Sequence, residues 1–199
     1  YYNSRDERVE VVAAGRQPSL CIDSTGTVHL LYQRGERLYC NNNSGGVFAH
    51  EFEISGTPST IEPGASIAGT RDGRLVVSYV DSGSLFLIEG TSEEDFASAT
   101  EIDSGGISRA DLEARRVGGL SLVYVKNGDV YRVNGNRSAD LVVERVGFGT
   151  PEQEFEPHHT TDACEITHVV FLRGGEVFYT NDAPDPGADL AADRTHGEM

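Results

Sequence analysis

The chain has 199 residues, with 32 acidic against 16 basic side chains and a formal net charge of −16. That balance leaves no basic footprint for nucleic acid, and no run approaches the roughly 18 apolar residues a helical membrane span needs. All but one of the basic residues are arginine, Lys126 being the exception, and an acidic, lysine-poor surface suits concentrated salt, where screening mutes self-repulsion.

Arg8–Ala13 alternates polar and apolar residues and predicts a half-buried strand with no local partner. A repeat follows. Pro18–Tyr32, Ala65–Tyr79, Ala110–Tyr124 and Pro157–Phe171 align without a gap, each ending on an aromatic, at intervals of 47, 45 and 47 residues. Six and seven residues later come Leu38-Tyr39, Leu85-Phe86, Val130-Tyr131 and Val177-Phe178. Each unit reads as three or four short strands separated by Gly- and Asp-rich turns. Unit one gives Pro18–Ile22, Thr27–Gln33, Arg37–Asn41 and Val47–Ile54. Unit two gives Ala65–Gly69, Leu75–Val80, Ser84–Glu89 and Phe96–Ile102. Unit three gives Ala110–Ala114, Leu120–Lys126, Asp129–Val133 and Leu141–Val146. Unit four gives Pro157–Thr161, Ile166–Leu172 and Glu176–Thr180, and ends at the breaker cluster Asp182–Gly187.

A period of this size predicts an all-β protein, a four-bladed β-propeller. One domain, 1–181, holds units near 17–54, 63–102, 108–146 and 155–181. The strand at 8–13 is expected to close the last unit, which lacks an outer strand; the alternative is half of an eight-bladed ring formed by two chains. Residues 182–199 read as a polar tail that only a flank of the domain or another subunit would order. Cys21, Cys40 and Cys164 fall on separate strands or units and are expected to be free thiols.

The stretch Pro18–Tyr32 with Leu38-Tyr39, and the turn Thr70-Arg71-Asp72-Gly73, resemble the blade unit of sialidase-like propellers, the Asp-box superfamily. The resemblance implies a propeller from a group in which glycan binding is common. The Ser-x-Asp-x-Gly-x-x-Trp box itself is not met. Asp23 and Gly26 are one residue too far apart, the chain has no Trp, and unit three has Arg115 and Gly118 at the Asp and Gly columns. Arg16 and Arg109 are the only arginines near one face that could enter a sialidase-type triad, so no catalytic set carries over.

In a propeller, the junctions between blades and the loops between second and third strands share one face, and loops on a rigid scaffold often carry binding. That face predicts Arg16, Gln17, Glu62, Asp103, Arg109, Glu156 and His158 as ligand-binding residues. On the innermost strands, Asp111, Glu113 and His158 fall towards one side and could share a divalent cation in a central channel; no other cofactor is expected. A glycosidase pair could be drawn from Glu62, Asp111, Glu113 or Glu156. Asn42-Asn43-Ser44 and Asn136-Arg137-Ser138 match the N-glycosylation acceptor pattern. The leading expectation is a non-catalytic, lectin-like module recognising a glycan or protein surface in an extracellular, cell-surface or virion setting at high salt. A sialidase-like hydrolase and a purely structural subunit, which could be a homo-oligomer or part of a larger assembly, are the alternatives.

Overall fold

The computed structural model describes residues 11–54, 61–62, 64–91, 95–96, 98–116, 118–135, 140–146 and 153–183. Among these residues fifteen strands make four antiparallel sheets, and there is no α-helix. Sheet one is β1 (Arg16–Ile22), β2 (Val28–Arg34), β3 (Arg37–Asn42) and β4 (His50–Glu53). Sheet two is β5 (Ser66–Gly69), β6 (Leu75–Asp81), β7 (Ser84–Gly90) and β8 (Ala99–Ser104). Sheet three is β9 (Ile107–Ala114), β10 (Leu120–Lys126), β11 (Asp129–Gly135) and β12 (Val142–Arg145). Sheet four is β13 (Glu154–Thr161), β14 (Thr167–Arg173) and β15 (Glu176–Asn181). Each is a meander, its strands neighbouring one another in sequence order.

Local chemistry explains the meander. The hairpins Asp81–Ser84 and Lys126–Asp129 close on two residues with positive φ, Ser82-Gly83 and Asn127-Gly128. This turn matches the right-handed twist of the strands it joins. The β1–β2 turn is built on Asp23, whose Oδ1 accepts from the backbone of Thr25 at 2.8 Å and of Thr27 at 3.0 Å. The repeating aromatics meet across the second and third strands as stacked, register-matched pairs: Tyr32 with Tyr39, Tyr79 with Phe86, Tyr124 with Tyr131 and Phe171 with Phe178.

Sheets pack face to face in sequence order, with innermost strands touching as β1–β5, β5–β9 and β9–β13. Leu31, Leu38, Ile67 and Tyr79 lie in the core joining sheets one and two. Leu85, Leu87, Leu112 and Leu122 lie in that joining two and three. The core between three and four is smaller, with Val123, Val125, Val130, Val169 and Phe171.

The N-terminal strand differs from expectation. Val11–Ala13 have no strand pairing and lie beside Pro18, Leu30 and Tyr32 of sheet one. Arg8–Glu10 lie outside the described residues, as do the tail beyond Ala183 and the sequon at Asn136. Among the described residues sheet four has three strands.

Candidate functional site

The hairpins between second and third strands lie beside the segments that lead into the inner strands. Gly83 N donates to Glu62 Oε1 at 3.1 Å, Asn127 N to Gly106 O at 3.0 Å and Glu154 N to Gly128 O at 2.6 Å. The expected common side therefore exists, and the inner strands open onto it through irregular backbone. Gln17, Gly64, Arg109 and Glu156 occupy one column of the repeat. Gln17 (φ 53°), Gly64 (φ 107°) and Glu156 (φ 49°) are left-handed there. The pairing register shifts between Arg16 and Ser19 in β1 and between Phe155 and His158 in β13. A bulge re-aims side chains at the end of a ladder, and a non-glycine residue held at positive φ stores strain of about 1 kcal/mol or more.

Below that column lies a cleft of about 450 Å3 between the inner strands of sheets one, two and three. Gln17, Ser19, Ser66, Ser108, Arg109 and Asp111 supply its polar lining. Among the described residues no hydrogen bond or ion pair engages the Arg109 guanidinium or the Gln17 amide. Arg109 extends against Gly64, where an added Cβ would touch Arg109 Cγ at 3.5 Å. In a chain with twice as many acids as bases, an unpaired, half-buried guanidinium is a set of five donors left for a ligand.

The other residues singled out by sequence divide sharply. Arg16 reaches Gly35 O at 3.3 Å, and Glu62 is the acceptor for Gly83 N. Asp103 ties sheet two to sheet three, accepting from Tyr124 Oη at 2.6 Å and Lys126 Nζ at 2.7 Å. Burial works to raise the Asp103 carboxyl, but these donors and the Ser104 amide outweigh it and hold it below the usual carboxylate range. Burial first, then the bond to Asp103, drives the Tyr124 hydroxyl well above its ordinary value. These three residues are committed within the fold. Glu156 is exposed at the rim.

The expected cation group is arranged differently. Asp111 Oδ2 lies 3.2 Å from Nδ1 of His159 and 4.0 Å from that of the exposed His158. Glu113 accepts from Thr161 N at 2.8 Å. Asp111 and Glu113 point towards sheet four, which turns its His159 and Thr161 side back to them; His158 sits on the opposite face by strand alternation. Among the described residues no three His, Cys, Asp or Glu side chains gather as metal ligands would.

His159, outside the expected ligand set, has a fully covered ring, and its Nε2 has no partner among the described residues. Glu154, also outside that set, is 1% exposed, and its Oε2 accepts from Val130 N at 2.8 Å. The signal for His159 was the alternation itself, once sheet three is known to face sheet four.

No protein-family model matches the chain, and no curated protein matches it either. Solved structures do. A Hadza microbial sialidase superposes with a TM-score of 0.59 at 9% identity, over 85% of this chain and 44% of that one. A family 43 glycoside hydrolase from Bacillus licheniformis gives 0.53 at 12%, over 94% and 42%. The WD40 domain of SCAP from fission yeast gives 0.51 at 13%, over 90% and 46%. The chain thus spans under half the length of these proteins and shares with them the fold of stacked propeller sheets. At such identities the likeness speaks of fold alone.

Proposed function

We propose that the cleft beneath the bulged column is a glycan-binding site and that the protein is a non-catalytic, lectin-like module. The observation that carries this reading is Arg109. Among the described residues its guanidinium has no partner, in a cleft lined by Gln17, serines and Asp111, while Glu62, Asp103 and Glu113 are consumed by the fold. A sugar presents hydroxyls on several sides, and a fork of N–H donors beside an amide and hydroxyls meets them without burying charge against charge. Among the described residues lining the cleft the one carboxylate is Asp111, which already faces His159, and this supports binding over hydrolysis. The sialidase and glycoside hydrolase among the structural neighbours are consistent with a carbohydrate ligand. The acidic, lysine-poor surface fits work in concentrated salt outside a cell.

A glycan array probed in molar KCl should return a discrete set of ligands. Arg109→Ala should weaken binding at least tenfold, whereas Glu36→Ala, in an exposed turn, should leave it unchanged. Binding to no glycan, or binding indifferent to Arg109→Ala, would overturn the reading. Turnover of a bound glycan, lost in Glu62→Gln, would replace it with a hydrolase.

A further inference from the structure

The two outermost faces of the stack, one on sheet one and one on sheet four, are built like the inside of a junction. Repeat columns make this visible. Ile67 and Leu112, which face the preceding sheet, are 3% and 5% exposed, but their counterpart Leu20 on β1 is 62% exposed. On the other side, Leu38, Leu85 and Val130 are covered by the following sheet at 1%, 0% and 0%, while their counterpart Val177 on β15 is 73% exposed. Val170 repeats the pattern at 39%, against complete burial of Leu31, Ser78 and Val123. Ile22 on sheet one and Tyr179 on sheet four extend the two patches. Leu20 with Ile67 and Leu112, and Val177 with Leu38, Leu85 and Val130, are aliphatic throughout; what differs is the neighbour.

Among the described residues the chain does not cover these faces by joining its ends through the inner strands. Contacts run β1–β5–β9–β13, and none of similar extent returns from β13 to β1. The described part of the N-terminal segment lies by Pro18, Leu30 and Tyr32 and leaves Leu20 and Ile22 open.

We infer that a second copy of this chain covers both faces, sheet four of each copy stacking on sheet one of the other about a two-fold axis, to give a ring of eight sheets. The choice of occupant follows from the repeat. Whatever lies on sheet four must present what sheets two and three each present to the sheet before them: aliphatic side chains on the inner strand, Ile67 and Leu112, backed by the second strand. Sheet one carries that surface as Leu20 and Ile22, 62% and 64% exposed. The patches therefore continue the chain's three existing junctions, and a two-fold axis satisfies both at once without an open end. Contiguous exposed apolar surface of this kind marks an interaction site. This inference stands on the sheet faces and is independent of the glycan cleft. Because each chain carries a charge of −16, association should strengthen with salt as repulsion between copies is screened.

Sedimentation equilibrium in molar KCl tests it. The expected species is a closed dimer, twice the 21.5 kDa chain mass, that dissociates as salt is lowered. Leu20→Glu and Val177→Glu should each give monomers, with at least tenfold weaker association and an unchanged far-ultraviolet β-signal, since neither side chain is in the chain's own core. Mixing the two variants should restore dimers, because one of the two junctions then pairs two unaltered faces. A wild-type monomer at every concentration, a dimer unaffected by either substitution, or an unlimited ladder of masses would each overturn the ring.

Discussion

The junction between sheets two and three and the junction between three and four hold together by different means. The first is chiefly aliphatic, with Val76, Val80, Leu85 and Leu87 packed on Ile107, Leu112, Leu120 and Leu122, and Asp103 as a polar tie to Tyr124 and Lys126 at one edge. The second has a thinner apolar core and a row of polar ties across it. Asp111 meets His159, Glu113 meets the Thr161 amide, and Arg115 bonds Glu165 O and pairs with its carboxylate at 3.3 Å. Asp182 accepts from Thr167 N at 2.6 Å and from Asn134 Nδ2 at 3.2 Å, with Arg132 Nη1 3.6 Å away. The repeat fixes where a sheet packs, then, but not with what chemistry. An apolar junction is tolerant of direction and gains from area, whereas a polar one fixes alignment and is costly when one partner is removed.

The sharpest way to break the comparison is to cut each junction at a fully covered residue. Leu85→Ala empties a site with no exposed area and should cost about 3–4 kcal/mol, read as a fall in the denaturant midpoint in molar salt. The same loss should appear at low and high salt once the shared baseline shift is subtracted. A cost below about 1 kcal/mol would show that sheets two and three are not packed as described.

Glu154 is the corresponding cut in the polar junction. Its carboxylate is buried on β13, accepts from Val130 N of sheet three, and lies 3.6 Å from Arg173 Nη1. Glu154→Ala leaves that amide without its acceptor and the largely covered Arg173 guanidinium without its ion-pair partner, and should cost about 3 kcal/mol. Arg173 is also seated over the Phe178 ring, 3.9 Å from its centroid, so Glu154→Gln, which retains an acceptor, should recover part of the loss. Equal costs for the two variants would mean that the carboxylate charge is the whole of the effect.

This polar junction also marks where sequence reading stops. The four units, their strand order and the sharing of one side by junctions and hairpins were all legible, because each rests on local features: period-two alternation, Asp and Gly at turns, an aromatic at a fixed column. Gln17 and Arg109 were legible for the same reason as residues at the head of an inner strand, and both line the cleft. Asp103, Asp111 and Glu113 look no different from them in sequence, yet the fold uses these three to bind one sheet to the next. The distinction depends on which face of a strand meets which neighbour, and that is a tertiary fact. Glu154 carried no signal at all, since a glutamate at a strand start is ordinarily solvated.

The smallest effect belongs to a tie confined within a single sheet, and it sharpens the contrast by being independent of either junction. Asp23 accepts from Thr25 N, Thr25 Oγ1 and Thr27 N, and its other oxygen lies 2.8 Å from His29 Nε2. Sheet four repeats the device with Asp162, Cys164 N, Ile166 N and His168, while sheet two closes the same turn on Thr70. Burial would raise the Asp23 carboxyl, but the bond with His29 and those from Thr25 and Thr27 prevail and bring it to about 2, below the ordinary 3.8. Because the folded value is the lower one, the unfolded chain takes up its proton first as pH falls. The carboxylate's contribution is therefore complete above about pH 4 and disappears as the pH drops towards about 2. Asp23→Ala should cost about 2 kcal/mol at neutral pH, with the gap to wild type closing across that acid window in a series of unfolding curves. A gap that stays constant down to the lower limit would assign the loss to turn geometry and not to the charge.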